Sequence, residues 1–234
     1  MYKTTVPLFD IDQTLINNRG TRGKSFEHAI KKVFGIEVSA DNFSTHGMID
    51  PEIMTELLKY HGHDNIDITK QKREAYLREM ENHFFADGVN KLLYEPMSGA
   101  EKALQYLVQN NYLIGILTGN TEKISHYKLK AARLDSYCNF GLFGDQVERR
   151  TELSELAKEK VPEYFPSGVK PKLIIIGDSP RDVHAAHEAN LPAIGIGAGN
   201  YSVKELLDAG ADAAIESLEN PEILISCLEQ LTRI

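Results

Sequence analysis

The residues best suited to chemistry lie in Val6-Pro7-Leu8-Phe9-Asp10-Ile11-Asp12-Gln13-Thr14-Leu15. A strand-type apolar run ends there in two carboxylates two residues apart, followed by a hydroxyl. In an open α/β sheet, ligands bind outside the carboxyl ends of the strands, so such a run delivers two acids to the place where chemistry is expected. Taken alone, the stretch reads equally well as a strand closed by an Asx turn. A calcium loop of EF-hand type is excluded, because the glycine and glutamate it needs are replaced by Leu15 and Thr21. Two further stretches carry suitable groups after apolar runs. One is Thr118-Gly119-Asn120, where a hydroxyl and the N–H groups of the following helix start can hold an anion. The other is Gly177-Asp178-Ser179-Pro180-Arg181-Asp182. Either could be an ordinary helix cap. Neither explanation accounts for two acids at the end of the first strand.

The elements that must position these groups follow in order. A strand covers about Thr5 to Phe9, and the polar, Gly-bearing residues 13–24 read as a loop or flap. Ser25 can cap a helix to about Phe34 that carries Phe26, Ala29, Ile30 and Val33 on one face and stops at Gly35. Helices follow at about Pro51–Tyr60, with proline at its favoured first position, and Thr69–Phe85. Residues 17–90 therefore read as a helical unit inserted after the first strand. From residue 92 strands and helices alternate. Ser98-Gly-Ala-Glu101 forms a capping box before a helix, and buried strands are expected at Tyr112–Leu117, Phe140–Phe143, Lys172–Ile176, Ala193–Ile196 and Ala211–Ile215. Helices are expected before Arg133, from Arg150, after Asp182, at 203–209 and from Pro221. This rhythm predicts a doubly wound parallel sheet with helices on both faces, the α/β class. Strand ends in such a sheet share one edge, so the three polar stretches should converge.

Composition limits the partners. The chain has 234 residues with 42% apolar and 26% charged content, ordinary values for a globular protein with a full core. A net charge of −8 and scattered Lys and Arg residues argue against nucleic-acid binding through phosphates. No apolar run approaches the ~18–20 residues needed to cross a bilayer, and no signal-type segment opens the chain. Cys138 and Cys227 form no metal or redox spacing. A cytoplasmic location is expected, with no membrane partner and a monomeric or homodimeric state. Gly195-Ile-Gly197-Ala-Gly199-Asn200 lacks the third glycine of a dinucleotide fingerprint and comes late in the sheet, so a nicotinamide cofactor is not expected.

Asp10-x-Asp12-x-Thr14, Thr118-Gly119-Asn120 and Gly177-Asp178-x-x-x-Asp182 together resemble motifs one, two and four of the haloacid dehalogenase-like (HAD) hydrolase superfamily. The helical insertion resembles that family's C1 cap. His46-Gly47-Met-Ile-Asp50 and the stretch from Gly195 to Asp212 are similar to the phosphoglycolate phosphatase-like branch. The resemblance implies a Rossmann-like core at 1–16 and 91–234, with a cap at 17–90. It also implies Asp10 as nucleophile and Asp12 as acid and base. Thr14 would hold the turn. Mg²⁺ would be held by Asp10, Asp178 and the carbonyl of Asp12, with Asp182 in support. Thr118, Gly119 and Asn120 would hold the phosphoryl group.

The third motif departs from the usual lysine. Arg150-Thr-Glu-Leu153 matches an arginine form seen in this branch, so Arg150 is the first choice among Arg149, Arg150, Lys158, Lys160, Lys170 and Lys172. Family dehalogenases lack the second aspartate, so Asp12 favours phosphate esters. The implied activity is Mg²⁺-dependent hydrolysis of a small phosphorylated metabolite, phosphoglycolate-like, through an aspartyl-phosphate. The alternatives are a phosphotransferase of the β-phosphoglucomutase type and a non-catalytic phosphate-binding protein. Arg19, Arg22, Lys24, His46, Met48 and Asp50 are candidates for meeting the substrate from the cap.

Overall fold

Strand β1 (Thr5–Phe9) is buried along its whole length because both faces of its sheet are covered. The computed structural model describes residues 2–18, 22–86 and 94–233. Arg19 lies outside them. Five more strands, β4 (Gly115–Thr118), β5 (Phe140–Phe143), β6 (Lys172–Gly177), β7 (Ala193–Ile196) and β8 (Ala213–Ile215), complete a parallel sheet in the order β5-β4-β1-β6-β7-β8. The alternation of side chains divides the core in two. Phe9, Ile116, Ile174, Ile176 and Ile194 pack on one face, and Val6, Leu8, Leu117, Leu173 and Ile175 on the other.

The strand order fixes where the site can form. After β1 the chain runs outward through β4 and β5, then returns to the far side of β1 and runs outward through β6, β7 and β8. The crossovers diverge around β1, leaving a crevice at its carboxyl end. Phe9 is in register with Ile116 of β4 and Ile176 of β6. The residues just past those positions, from Asp10, Thr118 and Asp178, therefore share one edge.

Between β1 and β4 the chain forms three helices, α1 (Gly23–Phe34), α2 (Asp50–Tyr60) and α3 (Lys70–Ala86). Phe26, Ala29 and Ile30 of α1 meet a common core with Leu57 and Leu58 of α2 and with Tyr76, Met80 and Phe84 of α3. Gly35 ends α1 at φ 72°, a left-handed cap that glycine adopts without strain. The remaining helices, α4 (Ala100–Gln109), α5 (Glu122–Ala131), α6 (Arg150–Lys160), α7 (Pro180–Glu188), α8 (Val203–Asp208) and α9 (Pro221–Leu231), follow the strands as expected.

Local corrections concern ends and loops. The stretch 13–24 is not wholly a loop. Strand β2 (Ile16–Asn18) pairs antiparallel with β3 (Tyr94–Pro96), joining the two ends of the helical insertion in a ribbon. Three-residue strands are too short to show a period of two, so they escaped the pattern. Ser25 is buried inside α1, whose cap position is Arg22. Gly99 precedes α4 without a side-chain cap, and Ser98 instead bonds Glu219 (Oγ to Oε1) at the start of α9. The capping box expected there is absent because a tertiary partner takes the hydroxyl.

Candidate active site

Asp10 is the first residue past β1. Its N–H donates to Ile176 O at 2.9 Å, so the backbone that carries the carboxylate is tied to β6. The chain then turns through backbone bonds from Leu15 N and Ile16 N to Ile11 O at 3.0 and 2.9 Å. Thr14 is fully buried and its hydroxyl has no partner among the described residues. The turn at Thr14 is thus held by the backbone, not by the threonine side chain.

The loop after β4 approaches the helical insertion closely. Asp50 N donates to Gly119 O at 3.0 Å, and a Cβ on Gly119 would lie 2.1 Å from Met48 O. Only glycine allows this contact. The expectation that the start of α5 holds an anion is corrected here. Thr121 N already donates to Asp50 Oδ2 at 3.2 Å, and Glu122 N to Asp145 Oδ1 at 3.1 Å. The Asn120 side chain is also committed: its Nδ2 donates to Thr118 Oγ1 at 2.9 Å and to Asp12 Oδ2 at 3.0 Å. Thr118, Gly119 and Asn120 all line the crevice, the Asn120 amide group being the one already taken.

Asp178 follows β6, and Asp182 lies in the first turn of α7. Ser179, not Asp178, caps α7, and Asp182 Oδ2 completes the box by accepting from Ser179 N at 3.2 Å and Oγ at 2.7 Å. Asp182 Oδ1 accepts from Arg150 Nη2. Arg150 is buried at the start of α6 and also stands 3.8 Å from Asp10 Oδ1. The other cations weighed for this position are exposed: Arg149, Lys158, Lys160, Lys170 and Lys172 all face solvent. Lys172 bonds Thr232 O at the far end of the sheet.

Asp10, Asp178 and Asp182 each offer an oxygen within 4.8 Å of the others. Three buried carboxylates face one guanidinium, which leaves two negative charges uncompensated. Burial, then repulsion from Asp182, pushes Asp10 up to about 7 despite Arg150. Burial, then Asp182 and Asp10, pushes Asp178 up to about 8. Asp182 has both oxygens bonded, whereas Asp178, among the described residues, accepts only from Asn200 N at 3.4 Å. Hard oxygen donors with this charge excess fit a divalent cation such as Mg²⁺.

A pH prediction follows from these shifts. The folded state holds protons on Asp10 and Asp178 more tightly than the unfolded chain, whose carboxyls titrate near 3.8. Between those values the folded state binds more protons, so stability falls as pH rises. In the presence of a chelator, the thermal midpoint is expected to drop from pH 5 to pH 8.5, and millimolar Mg²⁺ should flatten the slope. An Asp178→Asn variant should be flatter without metal. Calorimetric or circular-dichroism melts check this; an unchanged slope in that variant contradicts it.

Above these groups a cavity of about 330 Å³ opens between core and insertion, lined by Asp10, Asp12, Thr118, Arg150 and Asp178 below and by Arg22, Phe26, His46 and Met48 above. Arg22 is not a solvated flap residue. It pairs with Asp50 at 2.5 Å and donates to Asn120 Oδ1. His46 accepts from Asn200 Nδ2 at 3.1 Å. Lys24 stays exposed, 2.9 Å from Glu27.

The sequence profile of the haloacid dehalogenase-like hydrolase family matches residues 7–196. The chain belongs to this family. Among solved structures, it is similar to a predicted phosphatase from Clostridium acetobutylicum, at 22% identity and TM-score 0.69 over 98% of this chain and 99% of that one. A predicted phosphoglycolate phosphatase from Haemophilus somnus gives 19%, 0.65, 95% and 97%. A candidate β-phosphoglucomutase from Thermotoga maritima gives 20%, 0.59, 95% and 99%. At these identities the likeness establishes the fold. No curated protein matches the chain in sequence.

One buried group at this HAD site escaped the sequence reading. Lys128 on α5 is fully buried, with Nζ 2.7 Å from both oxygens of Asp12. Burial raises the Asp12 carboxyl, but the Lys128 ammonium outweighs it and holds the group below its ordinary range. The signal was present: Ile124, Ser125, Lys128 and Leu129 occupy one helical face, which is the buried one.

Proposed function

We propose that the protein is a phosphatase that hydrolyses a small phosphate monoester through an aspartyl-phosphate on Asp10, with residues 17–90 acting as a cap over the core formed by 1–16 and 91–234. The observation that carries this reading is the second carboxylate. Asp12 lines the same cavity as Asp10, where it can reach a leaving oxygen. An ester oxygen needs a proton to depart; a halide does not.

In the first step an Asp10 oxygen attacks phosphorus and the bond to the ester oxygen breaks; Asp12, ionised beside Lys128, takes up the proton that a monoanionic ester brings and passes it to the departing oxygen. In the second step Asp12 takes a proton from water as the water attacks the aspartyl-phosphate, which returns free Asp10 and inorganic phosphate. Arg150, steered by Asp182, neutralises charge on the transferring group. The Thr118 hydroxyl and the Gly119 N–H orient its oxygens. The cap residues Phe26 and Met48 limit water during attack. A cation held by the Asp10 and Asp178 side chains and the Asp12 carbonyl would screen the acids from the incoming phosphate; Mg²⁺ fits that role.

The leaving group must fit the cavity above Asp12. Among the described residues, the Arg and Lys cations that line it already face acids: Arg22 faces Asp50, Lys24 faces Glu27, and Arg150 faces Asp182. A phosphoglycolate-like ester would bring its carboxylate to Arg22 in competition with Asp50. A neutral polyol phosphate meets no such competition. Phosphate release should therefore be measured with Mg²⁺ on a panel holding both kinds. Release from at least one ester is expected, and no release from any member overturns the reading. The likeness to a candidate β-phosphoglucomutase keeps phosphotransfer as a second reading. Isomerisation of a sugar phosphate faster than its hydrolysis would favour it.

A further inference from the structure

Lys128 holds its position with every donor it has. An ammonium carries three protons. They are accounted for by Asp12 Oδ1 and Oδ2, both at 2.7 Å, and Asn120 Oδ1 at 2.8 Å. The remaining side of the ammonium lies 5.6 Å from the centre of the Tyr94 ring, on the ribbon that closes the insertion. No donor is left for a phosphate. Lys128 therefore touches the reaction only through Asp12.

Asp12 is bound as fully as a carboxylate in use can be. Its oxygens offer about four lone-pair directions. Lys128 takes one on each oxygen, and Asn120 Nδ2 takes another at 3.0 Å. The side chain is still 28% exposed and lines the cavity, so one direction remains open toward the leaving group. Asn120 Oδ1 in turn accepts from Arg22 of the insertion as well as from Lys128. The frame that aims Asp12 is thus built from α5, the loop after β4 and the start of α1.

We propose that Lys128 is the positioning residue that aims Asp12 at the leaving-group oxygen. Resting on the phosphatase reading above, this assigns the buried lysine a task in one half of the reaction: delivery of the proton on departure. A merely structural lysine would matter equally for every ester. An aiming lysine matters in proportion to how badly the leaving group needs a proton.

The experiment compares phenyl phosphate, a poor leaving group, with p-nitrophenyl phosphate, a good one, in the presence of Mg²⁺. The first-turnover release of phenol or p-nitrophenol is read before phosphoenzyme hydrolysis can limit the rate. Lys128→Met is expected to slow phenol release by at least about 100-fold, the scale of general acid catalysis, and p-nitrophenol release by less than about 5-fold. Methionine fills a similar volume, and Lys128→Gln, read the same way, serves if the first variant is poorly folded. Equal slowing of both esters, or slowing of neither, overturns the proposal. Asp12→Asn should reproduce the split. If it does not while Asp10→Asn is inactive, the acid role of Asp12 fails and the aiming role falls with it. If Asp10→Asn remains active, the aspartyl-phosphate reading itself is wrong.

Discussion

Asp10→Asn is expected to lower phosphate release by at least about 10⁴-fold, the scale seen when a covalent nucleophile is removed. The amide keeps the size of the side chain but cannot form an acyl phosphate. The change should leave folding intact, because the backbone bond from Asp10 N to Ile176 O does not involve the side chain. It also removes one of three mutually repelling buried acids, so the variant should melt no lower than the wild type without metal. Activity is read as released phosphate on the best ester of the panel, and stability by thermal unfolding. An Asp10→Asn protein as active as the wild type would falsify the covalent mechanism.

Arg150→Ala is expected to cost about 10²–10³-fold in kcat, the usual effect of removing one charge-stabilising donor. Lys170→Ala should cost nothing measurable. Arg150 lies beside Asp182 and 3.8 Å from Asp10, whereas Lys170 is exposed on the approach to β6. The arginine change carries a second, structural consequence. It strips the one guanidinium that the described residues place beside Asp10 and Asp182, and breaking a buried ion pair typically costs about 3–5 kcal/mol. A lower melting temperature should accompany the loss of activity, and Mg²⁺ should recover part of the stability but little of the rate. Comparing the two variants by initial rates and melts separates the assignments. Loss of turnover in Lys170→Ala with Arg150→Ala unharmed would move the role to the lysine.

The exchange between Arg150 and the lysines shows where sequence reading reaches its limit. A match to Arg-Thr-Glu-Leu selected Arg150, but nothing in residues 149–172 says which cation turns inward. Burial decides that, and burial follows from how α6 packs between β5 and α7. Lys128 shows the same limit from the other side. Its helical face was legible, yet a lysine on an apolar stripe reads as a misfit until Asp12 is placed opposite. Arg22 stood among the candidates for meeting the substrate, and its partners Asp50 and Asn120 were out of sight of the sequence because they lie 28 and 98 residues away.

The sequence by itself determined the parallel α/β core, the inserted helices, and the meeting of Asp10, Thr118 and Asp178 at one sheet edge. Those are consequences of local periodicity and of the rule that parallel strands point the same way, so they need no knowledge of distant contacts. Only the tertiary structure decided how the charges pair. It gave Asp12 to Lys128, Asp182 to Arg150, Asp50 to the start of α5, and the hydroxyl of Thr14 to none of the described residues. The physical reason is that pairing energies act over a few ångströms between groups far apart in the chain. Which acid meets which base is set by packing, and no spacing along the chain encodes it.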